Sequence, residues 1–379
     1  MSLSRRSALR RLIAAGTAGF FWQPTGPIAA QTATENWPDY LEQASDLLGR
    51  RFSLDMHMHP ALFPVKDIPR SANPRPYRGD DAFAARIGGM REGQMWSGFF
   101  SPVVDAPVLG MTPHGPGMVR LFERGEAWSE FKRQIAVLDN LLRRNDVVKA
   151  TTVADVEAAH AAGKVAAMVG CEGGNHIEDK LERVEEILAT GVRSLQLYHV
   201  APNSLVKTDG TRDSGLSDIG RETLREMNRI GLLADLAHAS FETTADAAEI
   251  TTQPILSTHG LVRAPDGSAR GFGMTAEHAK MIAGTGGVIG TFGGVRNGMG
   301  GFVEHTLRLI ETVGIDHVGI GTDMDGTGNL PVAFDRYPLL PEATARLLRS
   351  GMDEDEVAKV IGGNVARVLE DVRVGANEL

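Results

Sequence analysis

A single cysteine, Cys171, stands in the whole chain of 379 residues, so an intrachain disulfide is excluded. Stability must then come from a buried core, which a chain of this length can build. Positive charge is also scarce. The 39 Lys and Arg against 48 Asp and Glu leave a net charge of -9, which argues against nucleic acid or an anionic membrane as a partner. No stretch reaches 18 consecutive apolar residues, so no transmembrane helix is expected. Internal repeats and low-complexity tracts are absent. What the chain has in quantity is glycine, 44 residues in all, many of them just after apolar runs where the backbone must turn. The apolar share of 42% and charged share of 23% are those of an ordinary soluble globular protein.

Residues 1–30 read as an address rather than as part of the fold. Arg5 and Arg6 form a twin-arginine pair, an apolar run from Leu12 to Trp22 follows, and Ile28-Ala29-Ala30 supplies small residues for cleavage. The run is too short to cross a bilayer, which needs about 20 residues. A basic start, a short apolar run and a small-residue end make an export signal. The paired arginines point to the route that carries folded proteins, and hence to a periplasmic or secreted location. An Arg-rich amphipathic surface helix is the bland alternative.

Residues 31–379 read as one catalytic domain. Short apolar runs alternate with amphipathic segments, which means parallel βαβ units. The runs are Phe52–Leu54, Trp96–Phe100, Val165–Val169, Ser194–Leu197, Leu232–Leu236, Pro254–Ser257, Gly287–Thr291 and His317–Gly321. Between them lie helical patterns at Glu182–Ala189, Arg221–Ile230, Ala245–Ile250, Ala276–Ala283 and Phe302–Val313. Eight such units suggest an α/β fold of the closed (β/α)8 TIM-barrel type rather than an open sheet. Residues 60–93, rich in Pro and Arg, read as a long loop after the first strand. Met352–Val372 reads as helix packed outside the barrel.

The acids and histidines fall at telling places. His57 and His59 follow the first run, Glu172 the third, His199 the fourth, His238 the fifth, His259 the sixth and Asp323 the eighth. In a barrel the C-terminal strand ends converge on one face, where active sites of this fold lie. Taken singly, each has a plain explanation. An H-x-H pair is often structural, Glu172 could be a loop charge, and Asp323 could cap a helix. Taken together, they suggest metal. Imidazoles at i and i+2 on a strand share a side and ligate zinc well. Glu172 carries a carboxylate that can bridge two cations, and its glycine-rich setting, Gly170-Cys171-Glu172-Gly173-Gly174, allows a sharp turn. His238 and His259 complete a second candidate site. Asp323, closing Gly319-Ile320-Gly321-Thr322-Asp323, is placed to carry a proton.

The segments Asp55–His59, Gly170–Gly174, Leu195–His199, Gly215–Gly220, Asp235–His238, Ser257–His259, Gly319–Gly326 and Gly362-Gly363-Asn364 occur in the order seen in the membrane (renal) dipeptidase family of the amidohydrolase superfamily. The chain resembles that family from about Asp55 to Arg367. The resemblance implies a paired site with two zinc ions per chain. His57 and His59 hold one, Glu172 bridges, and His238 and His259 hold the other. It further implies that His199 steadies the substrate oxyanion, that Arg270 grips the free C-terminal carboxylate of a dipeptide, and that Asp323 shuttles the proton. Family members are often dimers, so a homodimer is implied as well. The chain departs from the pattern at His59, where the family usually has Asp, and at Gly271, where it tends to have Asn. The first change adds about one unit of positive charge to the site. Two other readings stand beside the dipeptidase. One is an amidohydrolase acting on another small amide or lactone. The other is a metal-bearing binding protein without catalysis, against which the presence of Asp323 and His199 counts.

Overall fold

A computed structural model describes residues 36–68, 75–113, 115–209, 212–263, 273–295, 297–327 and 332–377. The expected export signal, 1–30, lies outside the described residues. All eight expected strands form: β1 (Leu54–Met58), β2 (Ser97–Phe100), β3 (Ala166–Val169), β4 (Ser194–Gln196), β5 (Leu233–Asp235), β6 (Leu256–Gly260), β7 (Val288–Phe292) and β8 (Val318–Gly321). Every ladder between them is parallel. The strands follow one another in chain order, with β1 lying between β2 and β8. The curled sheet closes between β3 and β4 through a parallel bridge of Val169 with Val192. There Arg193 N donates to Val169 O at 2.8 Å, and Gln196 N donates to Cys171 O at 2.9 Å. The result is the TIM-type barrel, with a two-residue strand, Val148–Lys149, added along β3.

Packing follows the two-residue period of the strands. Phe99, Met168, Leu233 and Leu256 join one cluster that also takes Leu54, Met56 and Val288. Their chain neighbours Phe100, Val169, Ala234 and Ile255 join another, which includes the helices wrapped round the sheet. The last helix, Asn364–Asn377, supplies Val365 and Val368 to the first cluster. Asn364 at its start donates to the carbonyls of Ile315 and Val318 at 2.7 and 2.8 Å, which ties this helix to the N-terminal end of β8. The Gly362-Gly363-Asn364 motif is thus part of the scaffold, at the end of the barrel away from the acids and histidines.

Two expectations need correction. The first strand is Leu54–Met58 and not Phe52–Leu54, so His57 lies on the strand itself. An acid, Asp55, is tolerated within it because four donors satisfy it. The second correction is in the stretch read as loop. Within 60–93, Pro60–Val65 is 3-10 helix and Asp80–Glu92 is a full α-helix. Phe83, Ile87 and Met90 recur at helical spacing and are buried, but Arg86, Gly88 and Gly89 between them obscured the period. The C-terminal stretch is helical as expected, broken by a π-helical turn at Lys359–Gly363.

Candidate metal centre and catalytic site

The C-terminal mouth of the barrel is built on two buried aspartates. Asp55 Oδ1 accepts from the backbone N–H of His57 at 3.0 Å and of Thr322 at 2.9 Å. Its Oδ2 accepts from the Thr322 hydroxyl and, at 2.7 Å, from the Tyr337 hydroxyl. Asp235 repeats the device on β5. It takes the N–H of Ala237 and Thr258 at 2.9 and 3.0 Å, and the Thr258 hydroxyl at 2.6 Å. Burial pushes both carboxyls above the ordinary carboxylate range, against the pull of these bonds. The two aspartates fix the backbone beside His57, His238 and His259.

Glu172, 4% exposed, is the hub. Its Oε1 lies 3.4 Å from His57 Nε2, 3.3 Å from His238 Nε2 and 3.5 Å from His199 Nε2. Its Oε2 lies 3.4 Å from His59 Nε2. Asp323 Oδ1 stands 3.4 Å from the same His59 nitrogen. His238 Nε2 and His259 Nε2 face each other at 2.8 Å. Burial would raise the Glu172 carboxyl, but the neighbouring charges of His199 and His57 hold it well below its usual range. His259 is pushed well below the usual imidazole value by burial and by the neighbouring His57 and His238, so it is neutral, as a metal ligand must be.

The donor set fits a metal. His59 Nδ1 lies 2.7 Å from the Ser101 carbonyl, which makes Nδ1 the protonated nitrogen and leaves the Nε2 lone pair facing Glu172 and Asp323. His57 Nε2 is buried without a hydrogen-bond partner among the described residues, although it faces a carboxylate. Two like ring nitrogens 2.8 Å apart need a proton or a cation between them. Three groups bring their ligand atoms within 4.8 Å of one another: His57 with His59 and Asp323, His57 with Glu172 and His259, and Glu172 with His199 and His238.

Backbone geometry is specialised at the same points. His238 and Asp323 have φ of 66° and 53°, a left-handed conformation that most side chains avoid. Asp323 caps no helix. Its N–H donates to His57 O at 3.0 Å, and its carbonyl accepts from Gly326 N at 2.9 Å. A Cβ at Gly326 would fall 2.0 Å from Asp323 Oδ1 and 2.6 Å from His59 Cδ2, so only glycine fits there. Gly173, at φ 89°, makes the turn after Glu172.

Seven of the eight expected site residues therefore meet in one place: His57, His59, Glu172, His199, His238, His259 and Asp323. Arg270 lies outside the described residues. Asp323 and His199, expected to act on substrate rather than metal, each stand in one of the candidate ligand groups. Sequence reasoning missed Asp105. This fully buried residue follows β2 and takes His199 Nδ1 at 2.7 Å and the N–H of Ala201 at 2.9 Å. Burial alone would lower the His199 pKa, but the carboxylates of Asp105 and Glu172 raise it to about 9. It also missed Asp325, which is buried two residues beyond Asp323. Asp325 accepts from Ala61 N at 2.8 Å, from Arg78 at 2.7 Å, and from Arg86 at 2.9 and 2.7 Å. The signal for Asp105 was present, since it is an acid just past a strand end, but the end of β2 was passed over.

A parallel α/β barrel with a carboxylate among five imidazoles at its C-terminal mouth has the form of a metal-dependent hydrolase. Comparison with known proteins makes this particular. Residues 41–379 match the membrane dipeptidase family, peptidase family M19, and the chain belongs to that family of metallo-dipeptidases. The dipeptidase aclJ of Aspergillus oryzae is 26% identical over 306 residues, which are 76% of this chain and 70% of that protein. Among solved structures, dipeptidase AC, a metallopeptidase of family M19, is 23% identical with a TM-score of 0.70, over 85% of this chain and 98% of its own. A metallopeptidase from Rhodobacter sphaeroides, liganded with a phosphinate mimic of L-Ala-D-Ala, is 21% identical with a TM-score of 0.70, over 85% of this chain and 99% of its own.

Proposed function

We propose that the chain is a zinc-dependent dipeptidase with two zinc ions per chain, cleaving dipeptides that carry a free C-terminal carboxylate. The observation that carries the binuclear reading is the orientation of Glu172: Oε1 faces His57 and His238, and Oε2 faces His59. A carboxylate so placed can bridge one ion held by His57 and His59 and a second held by His238 and His259. Bound there, the ions would supply Lewis acidity toward the scissile carbonyl and the attacking water.

The protein's own groups supply the rest. Asp323, set beside His59, takes a proton from the attacking water on Oδ1 and later returns it to the leaving amine. His199, kept cationic by Asp105, points Nε2 toward Glu172 and donates to the oxygen that becomes negative. Arg270 grips the substrate carboxylate through two parallel hydrogen bonds, which favours dipeptides over longer chains.

The test is hydrolysis of dipeptides with L- and D-residues at the second position, each beside its C-terminal amide, with metal content measured on the same protein. Cleavage of free dipeptides, sparing of the amides and two zinc ions per chain are expected. Equal cleavage of the amides would remove the carboxylate clamp, and one ion per chain would remove the bridge. Arg270→Ala should raise KM steeply for free dipeptides and little for amides. We also propose export by the twin-arginine signal, so that changing Arg5 and Arg6 to Lys leaves the protein in the cytoplasm. A homodimer, proposed from the resemblance, is checked by sedimentation.

A further inference from the structure

Residues 101–105, which leave β2, are bonded to three of the site residues in turn. Ser101 O accepts from His59 Nδ1 at 2.7 Å. Pro102 O accepts from Glu172 N at 2.8 Å, and Val104 N donates to Glu172 O at 3.0 Å. Asp105 Oδ1 accepts from His199 Nδ1 at 2.7 Å. Val103, in the middle, is bridged in parallel with Glu172. Its chain neighbours make the bonds to Glu172, so its own N–H and C=O point the other way. On that side stands Gln134.

Gln134 is fully buried on the helix Glu126–Arg144. Its Oε1 accepts from Val103 N and its Nε2 donates to Val103 O, both at 2.7 Å. One side-chain amide, with a donor and an acceptor of its own, thus takes the part of a neighbouring strand. Nε2 also donates to Glu130 Oε1 at 2.8 Å, and Arg133 holds Glu130 at 2.7 and 2.6 Å. These three residues lie at i, i+3 and i+4, on one face of the helix. The Glu130 carboxylate only accepts, so it fixes which end of the amide is nitrogen. Val103 O accepts from Ala106 N as well, at 3.1 Å, which closes the turn that carries Asp105.

We propose that Gln134 is a positioning residue for the metal centre. By holding Val103 at both backbone groups it sets residues 101–105, and through them the placement of His59, Glu172 and His199. The inference rests on the reading above in which His59 and Glu172 are zinc ligands. Without the amide, the buried Val103 N–H loses its acceptor, which costs free energy unless the segment shifts to find another. Glu172 follows such a shift, because its N–H and its C=O are both bonded to that segment.

The experiment compares the wild type with Gln134→Met, which keeps the length of the side chain and loses both bonds to Val103. Leu138→Ala, a cavity variant one turn further along the same helix, is the control. Circular dichroism establishes that each is folded, and competition with a chelator gives its zinc affinity. Gln134→Met should bind zinc at least tenfold more weakly, within the roughly 10–100-fold range for partners that orient ligands. Leu138→Ala should lower the melting temperature and leave zinc affinity unchanged. Unchanged affinity in Gln134→Met, or an equal loss in both variants, overturns the proposal. A second readout needs no metal. The Nδ1–H resonances of His59 and His199, observed by NMR of histidine-labelled metal-free protein, should move in Gln134→Met and stay in place in Leu138→Ala. If the wild type binds no zinc, the metal reading fails on its own, and these resonances decide. Movement in Gln134→Met alone upholds the positioning role, and unmoved resonances overturn it. If Gln134→Met does not fold, Gln134→Asn replaces it, with the amide withdrawn from Val103 by one methylene, and the same outcomes decide.

Discussion

Asp105 and His199, on the exits of β2 and β4, form a buried pair in which His199 Nδ1 donates to Asp105 Oδ1 at 2.7 Å. The other carboxylate oxygen takes the N–H of Val200 and Ala201 at 3.2 and 2.9 Å. The carboxylate is therefore fully engaged, and it fixes both the ring orientation and the proton on Nδ1. In metal-free protein His199 should titrate at about 9, by the charges of Asp105 and Glu172 acting against burial. A raised folded-state pKa has a definite sign. The stabilisation is complete below the unfolded value near 6.5 and is lost as pH rises through about 9. Asp105→Asn should move the titration down, as read by NMR of the imidazole. It should lower kcat by roughly 10–100-fold with little change in KM, the usual range for a partner that orients an active group. An unmoved titration would remove Asp105 from this role.

Asp323→Asn should retain metal and lose most turnover, by roughly 10²–10⁴-fold, the range for loss of a general acid–base group. Metal content and single-turnover rate check this together. Loss of one equivalent of metal along with activity would instead make Asp323 a ligand, in keeping with its position beside His57 and His59.

Gly326→Ala tests how tightly the turn after β8 closes over the site. The new methyl would need to occupy space 2.0 Å from Asp323 Oδ1, so the carboxylate or the turn must move. Activity should fall at least as far as in Asp323→Asn, while the melting temperature changes little because the position is on the rim. Normal activity would mean that the Asp323 side chain has room to spare.

Glu172→Gln should abolish binding of the second metal equivalent and weaken the first, as measured by calorimetric zinc titration. Zinc should raise the melting temperature of the wild type, because a ligand that binds only the folded state stabilises it. A chelator should reverse that rise. In Glu172→Gln the rise should be much smaller.

Asp325→Asn should destabilise the protein by about 2–3 kcal/mol in denaturant titration. That is less than the cost of breaking a fully buried pair, because the Arg78 side chain is 48% exposed and the Arg86 side chain 25%. No loss of stability would mean that the guanidiniums find water as readily as the carboxylate.

The barrel was legible because its strands are short, apolar and separated by amphipathic helices, and because parallel strands buried on both faces read as continuous apolar runs. The first strand is the exception. Asp55 and His57 interrupt it, and only the donors Thr322 and Tyr337, distant in sequence, make a carboxylate tolerable there. The ligand-type residues were legible because they cluster at strand ends. Asp105, Asp235 and Asp325 were not, because each acts through a hydrogen bond to a group far along the chain, and sequence spacing carries no record of such pairings. The helix Asp80–Glu92 was hidden by its own composition, in which Gly88 and Gly89 weaken the helical signal while Phe83, Ile87 and Met90 carry it.

Asp325 also decides how freely the rim can change. Its carboxylate holds the N–H of Ala61 and the side chain of Arg78, and Arg78 N donates to Ala61 O at 2.9 Å. Ala61 and Arg78 are therefore joined at a single knot beside the site. Lengthening a loop whose ends are already joined costs little, about 0.6 kcal/mol per doubling. Changes in the chain between Ala61 and Arg78 then leave the imidazoles beneath undisturbed. Substrate preference in this chain can drift on its own while the reaction stays the same.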